Sequence, residues 1–204
     1  MDTSKPARLT PLAVVGAPAL MGLYGGVRLL EGSRDPGPGW LVGHGLMFVG
    51  LLLFGVVLAA LRRGLRPRGA LGRLAANSAA GTAFAGLAAS LGQIGIDLYV
   101  GAVAVDKADQ HRLFDAVQSR PGVLPAFYSV GPLLFYVGLL ALLVAAAAGR
   151  SRTLRWWSPV LVLAGTAMTA ADLALIPVAA VLYLVALAPL AGLTGLRRPV
   201  AARA

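Results

Sequence analysis

The chain contains no cysteine, so disulfides, thiol nucleophiles and thiolate metal sites are excluded. Charge is scarce too: 13% of its 204 residues are charged, against about 25% in an ordinary soluble domain. Eight carboxylates and two histidines are the whole stock for acid–base or metal chemistry. Apolar residues fill the gap, at 58% of the chain. Such a chain lacks the polar surface to wrap a water-facing globule, and disorder and collagen-like repeats are equally excluded. It reads as a multi-pass membrane protein.

The net charge of +10 does not point to nucleic acid, because basic nucleic-acid faces are solvated and interleaved with aromatics. Here the cations sit in short clusters between long uncharged runs. No phosphate loop G-x-x-x-x-G-K-S/T, H-E-x-x-H pair, G-x-S-x-G elbow or zinc-ligand spacing occurs. Neither a metal nor a cofactor is expected, and only His44 lies inside a helix, so a pair of axial haem histidines is not available. Partners are expected among membrane lipids, a small hydrophobic ligand or another membrane protein.

A helix crosses the hydrocarbon core with about 20 apolar residues. Apolar segments at about 9–30, 40–61, 74–97 and 124–148 meet that length. The last tract, Leu154 to Leu196, is 43 residues long and would make a helix of about 64 Å, roughly twice the core. It must fold back, and Asp172 followed by Pro177 marks the corner, since aspartate caps helix starts and proline suits a first turn. The spacing therefore predicts helices at about 155–172 and 175–196. Six crossings with both termini inside place 13 cations in inner segments: Lys5 and Arg8; Arg62, Arg63, Arg66, Arg68 and Arg73; Arg150, Arg152 and Arg155; Arg197, Arg198 and Arg203. Five lie outside: Arg28, Arg34, Lys107, Arg112 and Arg120. That asymmetry obeys the positive-inside rule. The fold class expected is an all-α, six-helix membrane bundle in the cell (inner) membrane, N-in and C-in. Ala17-Pro18-Ala19 has the small residues of a signal cleavage site, but the apolar run continues past it to Val27, so the first helix is expected to be retained.

Val42 to Leu52 and Val130 to Leu140 are identical at seven of eleven positions, and Ala80-Gly81-Thr82-Ala83 returns as Ala164-Gly165-Thr166-Ala167. The pairs formed by helices two and three and helices four and five thus read as a parallel internal repeat. Small residues such as Gly22 and Gly26, Gly50 and Gly55, and Gly81 and Gly86 suit close helix approach in lipid. Pro11, Pro18, Pro132 and Pro189 are expected at irregular helix ends or kinks. Asn77, Ser78 and Thr82 suit interhelical hydrogen bonds. The one long outer loop, 98–123, holds a short amphipathic helix from Asp106 to Ser119, with Leu113, Phe114 and Val117 on one face; it suits either the lipid surface or a lid on the bundle, and the lipid surface is the placement expected. Trp40, Tyr99, Phe127 and Tyr128 fall in the outer aromatic belt, and Trp156 and Trp157 in the inner one.

Polar groups inside a membrane are costly and often functional. Six crossings bring His44, Gln93, Asp97, Asp172 and Arg28 to the same outer side, with Gln93 and Asp97 four residues apart on one helix face. These five are the candidate ligand-binding residues. Each also has a structural role open to it: helix capping for Asp97 and Asp172, snorkelling for Arg28, and a backbone hydrogen bond for His44. His111 is expected to be solvated.

Gly39-Trp40-Leu41-Val42-Gly43-His44 leading to Leu61-Arg62-Arg63, and Gly131 to Leu140 leading to Arg150, resemble a broad group of small, uncharacterised multi-pass membrane proteins from high-GC bacteria. The resemblance implies a helical bundle and no assigned activity. Three functions fit the chain. The first is binding or carrying a small or lipidic ligand through an outward-facing polar pocket. The second is an intramembrane, terpene-cyclase-like enzyme on an isoprenoid or lipid, with Asp97 or Asp172 as the initiating acid and Tyr24, Tyr99, Tyr128 and Tyr136 to stabilise a carbocation. The third is a structural subunit of a membrane complex.

Overall fold

The computed structural model describes residues 5–149 and 154–192. The expected inner arginines Arg150, Arg152, Arg197, Arg198 and Arg203, and the end of the last expected helix, lie outside the described residues. Five helical stretches are long and apolar enough to cross a membrane: Leu9–Arg28, Pro38–Gly64, Gly69–Val103, Leu124–Ala148 and Leu173–Ala191. Trp157–Ala171 is a shorter apolar helix. The protein is a polytopic, all-α membrane bundle.

Helix α1 spans Lys5–Arg28 and runs unbroken through Pro11 and Pro18. α2 is Pro38–Gly64, opened by proline in its first turn, where the missing N–H costs nothing. α3, Gly69–Val103, has 35 residues and reaches about 52 Å, well beyond a 30 Å core. It was expected to stop near Asp97 and instead continues to Val103, because nothing breaks the chain before Ala104 turns extended. α4 is Lys107–Gln118, and the Asp106 carboxylate caps it by accepting from the Asp109 N–H at 2.8 Å.

The segment expected as one helix at 124–148 is divided. A π turn, Leu124–Tyr128, precedes α5, Val130–Ala148, with Ser129 leaving the helical region between them. Pro132 supplies the cause: inside a continuous α-helix its ring would collide with the carbonyl of Tyr128 and it offers no N–H. α6 is Trp157–Ala171, and Asp172 ends it in an extended conformation. A single 3₁₀ turn, Leu173–Leu175, leads into α7, Ile176–Leu187, which closes on a second 3₁₀ turn that includes Pro189.

Six helices close a ring in chain order. α1 packs on α2 and α7, α2 on α3, α3 on α5, α5 on α6, and α6 on α7. Lipid gives no hydrophobic drive between helices, so close contact depends on small side chains. The α3–α5 seam is the tightest: a Cβ on Gly86 would lie 1.9 Å from the Phe135 nitrogen, and one on Gly138 would lie 2.3 Å from the Ala83 nitrogen. On α1 the residues facing α7 are Gly22, against Ala180, and Gly25, against Ile176, while Gly26 faces open space. Across the middle of the ring Phe54 meets Phe135 edge-on at 5.6 Å and Tyr183 at 6.0 Å. Below this aromatic floor, Val57, Leu58, Leu61, Leu142, Leu143 and Ala146 fill the bundle. At the arginine-rich end, Arg62 donates two hydrogen bonds to Asn77 of α3, at 2.5 and 3.0 Å.

Part of the pattern shared by 42–52 and 130–140 returns at 178–187 in α7, where Val178, Leu182, Val185 and Leu187 are kept and both glycines are replaced by alanine. Val42, Val130 and Val178, and seven residues later Val49, Val137 and Val185, are all between 46% and 56% exposed and face outward. Gly43, Gly131 and Ala179, and Gly50, Gly138 and Ala186, are buried. Met47, Phe135 and Tyr183, at the same step of each segment, all face the interior cavity. By contrast, the matched glycines of the other motif differ: Gly81 faces open space and Gly165 is pressed against Tyr183.

Candidate functional site

Between the aromatic floor and α4 the ring encloses a cavity of about 260 Å³, near the lower end of ligand pockets, which start at about 300 Å³. All six ring helices contribute to its wall. Its lower half is apolar and aromatic: Met21, Met47, Leu51, Phe54, Ile94, Phe135, Tyr136, Ile176 and Tyr183. Towards the α4 end stand Tyr24, Arg28, Trp40, His44, Gln93 and Asp97.

Four of the five residues singled out in the sequence therefore share one cavity: Arg28 from α1, His44 from α2, and Gln93 and Asp97 from α3. Asp172 stands apart. It is exposed, lies outside the cavity wall, and its carboxylate accepts from the Ala174 N–H at 2.8 Å, capping the 3₁₀ turn at the α6–α7 corner. Asp97 does the opposite of capping. It sits inside α3, six residues before the helix end, and is 7% exposed.

Trp40 organises the group. Its indole N–H donates to the Asp97 backbone oxygen at 2.7 Å, and its ring stacks on the His44 imidazole at 4.1 Å between centroids. Gly101 makes room for it: a Cβ there would lie 2.1 Å from the indole. His44 Nδ1 lies 2.9 Å from the Trp40 carbonyl oxygen. A carbonyl only accepts, so Nδ1 carries a proton. The imidazole Nε2 faces Asp97 Oδ2 at 3.9 Å. The other carboxylate oxygen, Oδ1, accepts from the Tyr128 hydroxyl at 3.1 Å. The π turn matters here, since the break at Ser129 leaves Tyr128 free of α5 and able to reach α3. Tyr24 packs edge-on against His44 at 5.3 Å and accepts from Arg28 at 3.4 Å. Among the described residues no carboxylate lies within ion-pair distance of Arg28.

Two hydroxyls differ in commitment. Ser90 donates to the Gly86 carbonyl at 3.0 Å, whereas the buried Thr169 hydroxyl has no partner among the described residues. No three of His, Cys, Asp and Glu converge among the described residues.

α4 closes this end through its inner face, where Gln110 is buried and Leu113, Phe114 and Val117 are half-buried. Phe114 lies 6.0 Å from the Trp40 ring, and the Lys107 ammonium lies 5.9 Å from it on another side. Lys107 also donates to the Arg34 carbonyl and pairs with Asp35 at 3.4 Å, tying α4 to the α1–α2 loop. On the outer face, Arg112 bonded to Asp109 holds that carboxyl below its ordinary range, helped by the Val105 N–H. His111 is exposed.

Trp40 and Thr169 belong to the site without having been singled out for it, and Tyr24 and Tyr128, named only as carbocation-stabilising groups of an enzyme, bond Arg28 and Asp97. A signal for two of them existed: Trp40 and His44, and Tyr24 and Arg28, are each four residues apart on a helix and so share a face. Nothing local marks Tyr128 or Thr169. No protein-family model, curated protein or solved structure matches this chain.

Proposed function

We propose that this protein spans the cell membrane six times, with both termini and the arginine-rich loops in the cytoplasm, and binds a small amphiphilic ligand in the cavity at its extracytoplasmic, α4 end. The cation asymmetry of 13 against 5 supports the orientation. The single observation that carries the binding role is the convergence of Arg28, His44, Gln93 and Asp97, from three helices, on one cavity with an aromatic floor. A polar mouth above an apolar chamber suits a molecule with a polar head and a compact apolar body. The recurring pattern of α2, α5 and α7 supports an origin in three tandem helical hairpins, α1–α2, α3–α5 and α6–α7. This enlarges the two-helix repeat read from the sequence and builds the chamber from equivalent faces.

A second reading, acid-initiated chemistry on an isoprenoid or lipid, draws on one further observation. Buried Asp97 shares its cavity with Tyr24, Trp40, Phe54, Phe135, Tyr136 and Tyr183, a lining suited to a carbocation.

Binding is tested through Trp40, one of three tryptophans in the chain. With Trp156→Phe and Trp157→Phe removing the others, 4-bromophenol should quench Trp40 along a saturable curve in nanodiscs. Quenching that rises only in proportion to the probe dissolved in the bilayer refutes an occupied cavity.

A further inference from the structure

The α3–α5 seam that closes on Gly86 and Gly138 does not stay closed along its length. Toward the arginine-rich end it opens into a second cavity of about 260 Å³, which shares no residue with the first. Ala75, Ala76 and Ala79 of α3 line one side and Ala141 and Ala145 of α5 the other. Leu65 and Gly149, the residues at which α2 and α5 end, also line it. The crevice therefore lies where the apolar runs give way to head groups. Leu71 and Leu74, in the same first turns of α3, are 79% and 62% exposed and left to lipid.

An empty space forfeits the dispersion contacts of its lining. Water does not suit this one, because a buried water needs about two to four polar partners and every lining side chain except that of Arg66 is apolar. A hydrocarbon chain does suit it. Arg66 brings the charge: it lines the crevice and is itself exposed. Residues 62–79 hold five arginines and no carboxylate, and among the described residues none of the five is ion-paired. Arg62 bonds Asn77, whereas Arg63, Arg68 and Arg73 are exposed like Arg66. The positive-inside rule accounts for cations at this end, but it requires no apolar crevice beside them. Basic pockets between membrane helices hold anionic lipid head groups.

We propose that this crevice binds an anionic phospholipid, with one acyl chain between α3 and α5 and the phosphate against Arg66. Arg63, Arg68 and Arg73 strengthen the positive field around the head group. The site is separate from the cavity at the α4 end, so the failure of either leaves the other standing.

Protein purified in detergent is titrated with dioleoylphosphatidylglycerol or dioleoylphosphatidylcholine, and bound lipid is counted by native mass spectrometry. The first phosphatidylglycerol should bind saturably and at least about tenfold more tightly than phosphatidylcholine. Arg66→Gln should weaken it about fivefold, the effect of one cation beside an anionic head group, while Arg120→Gln at the other end leaves it unchanged. Ala145→Leu, which fills the crevice, should abolish the saturable first site. Glycerol 1-phosphate, the head without its chains, should not compete at equal concentration. Equal affinity for the two lipids, or equal losses from Arg66→Gln and Arg120→Gln, overturns the site and leaves a general attraction between charges. Competition by glycerol 1-phosphate overturns it in favour of a free-phosphate site. The two lipids and the competitor are compared on the wild-type protein, so the test holds even where Ala145→Leu folds poorly.

Discussion

Trp40 shows how one side chain can set several others. Its backbone carbonyl holds a proton on His44 Nδ1, its indole N–H holds the Asp97 backbone, and its ring carries His44 on one side and approaches Phe114 of α4 on another. The indole's placement needs the bare Cα of Gly101. Gly101→Val should displace the indole, cost about 1–3 kcal/mol of stability through overpacking, and release its stack on His44, its bond to the Asp97 backbone and the α4 contact. ¹⁵N-histidine spectra and thermal unfolding in micelles check this. Unchanged His44 ring resonances with unchanged stability would refute the role assigned to the indole. Gln93 and Asp97 were legible as a pair because their four-residue spacing fixes a shared face whatever else the chain does. The role of Asp97 was not legible. Whether an aspartate near a helix end caps it or sits inside depends on where the helix stops, and α3 stops six residues later.

At the scale of elements, the α3–α5 seam is set by backbone contact at two glycines, each facing the other helix. Gly138→Leu places its first carbon atom 2.3 Å from the Ala83 backbone. It should destabilise the bundle at or above the upper end of the about 1–3 kcal/mol typical of overpacking. Gly81→Ala, into open space on α3, should be neutral or gain up to about 1 kcal/mol from helix propensity. Thermal unfolding of the two variants side by side separates the seam from a general effect of losing glycine. If both cost the same, close approach is not what holds α3 to α5. The break at Ser129 is another element-scale decision. A proline early in α5 announces an irregular start, but only the neighbouring α3 decides that the freed turn lays Tyr128 on Asp97.

For the whole molecule, orientation is the property on which the proposed function stands. The absence of native cysteine makes it directly measurable. His111→Cys on α4 should react with a membrane-impermeant maleimide in intact cells. Arg66→Cys, in the loop between α2 and α3, should react only after the membrane is opened. The inverse labelling would put the cavity mouth in the cytoplasm. Both positions are exposed, outside the wall of the cavity at the α4 end and far from the tight seams, so folding is not the variable.

Composition and apolar run length, with no partner contacts known, were enough to establish a polytopic α-helical membrane protein. The solvent for most of the surface is lipid, and lipid demands long uncharged helices wherever they pack. The over-long last tract had to turn, and Asp172 marked the turn because capping is a local property of the chain. Which polar residues meet was decided only by the closed ring. Side chains on different helices are brought together by ring order and rotation, which small residues at the seams determine. So Arg28, His44 and Asp97 gather on one cavity, Trp40 and Tyr128 are drawn in with them, and Asp172 remains at the surface.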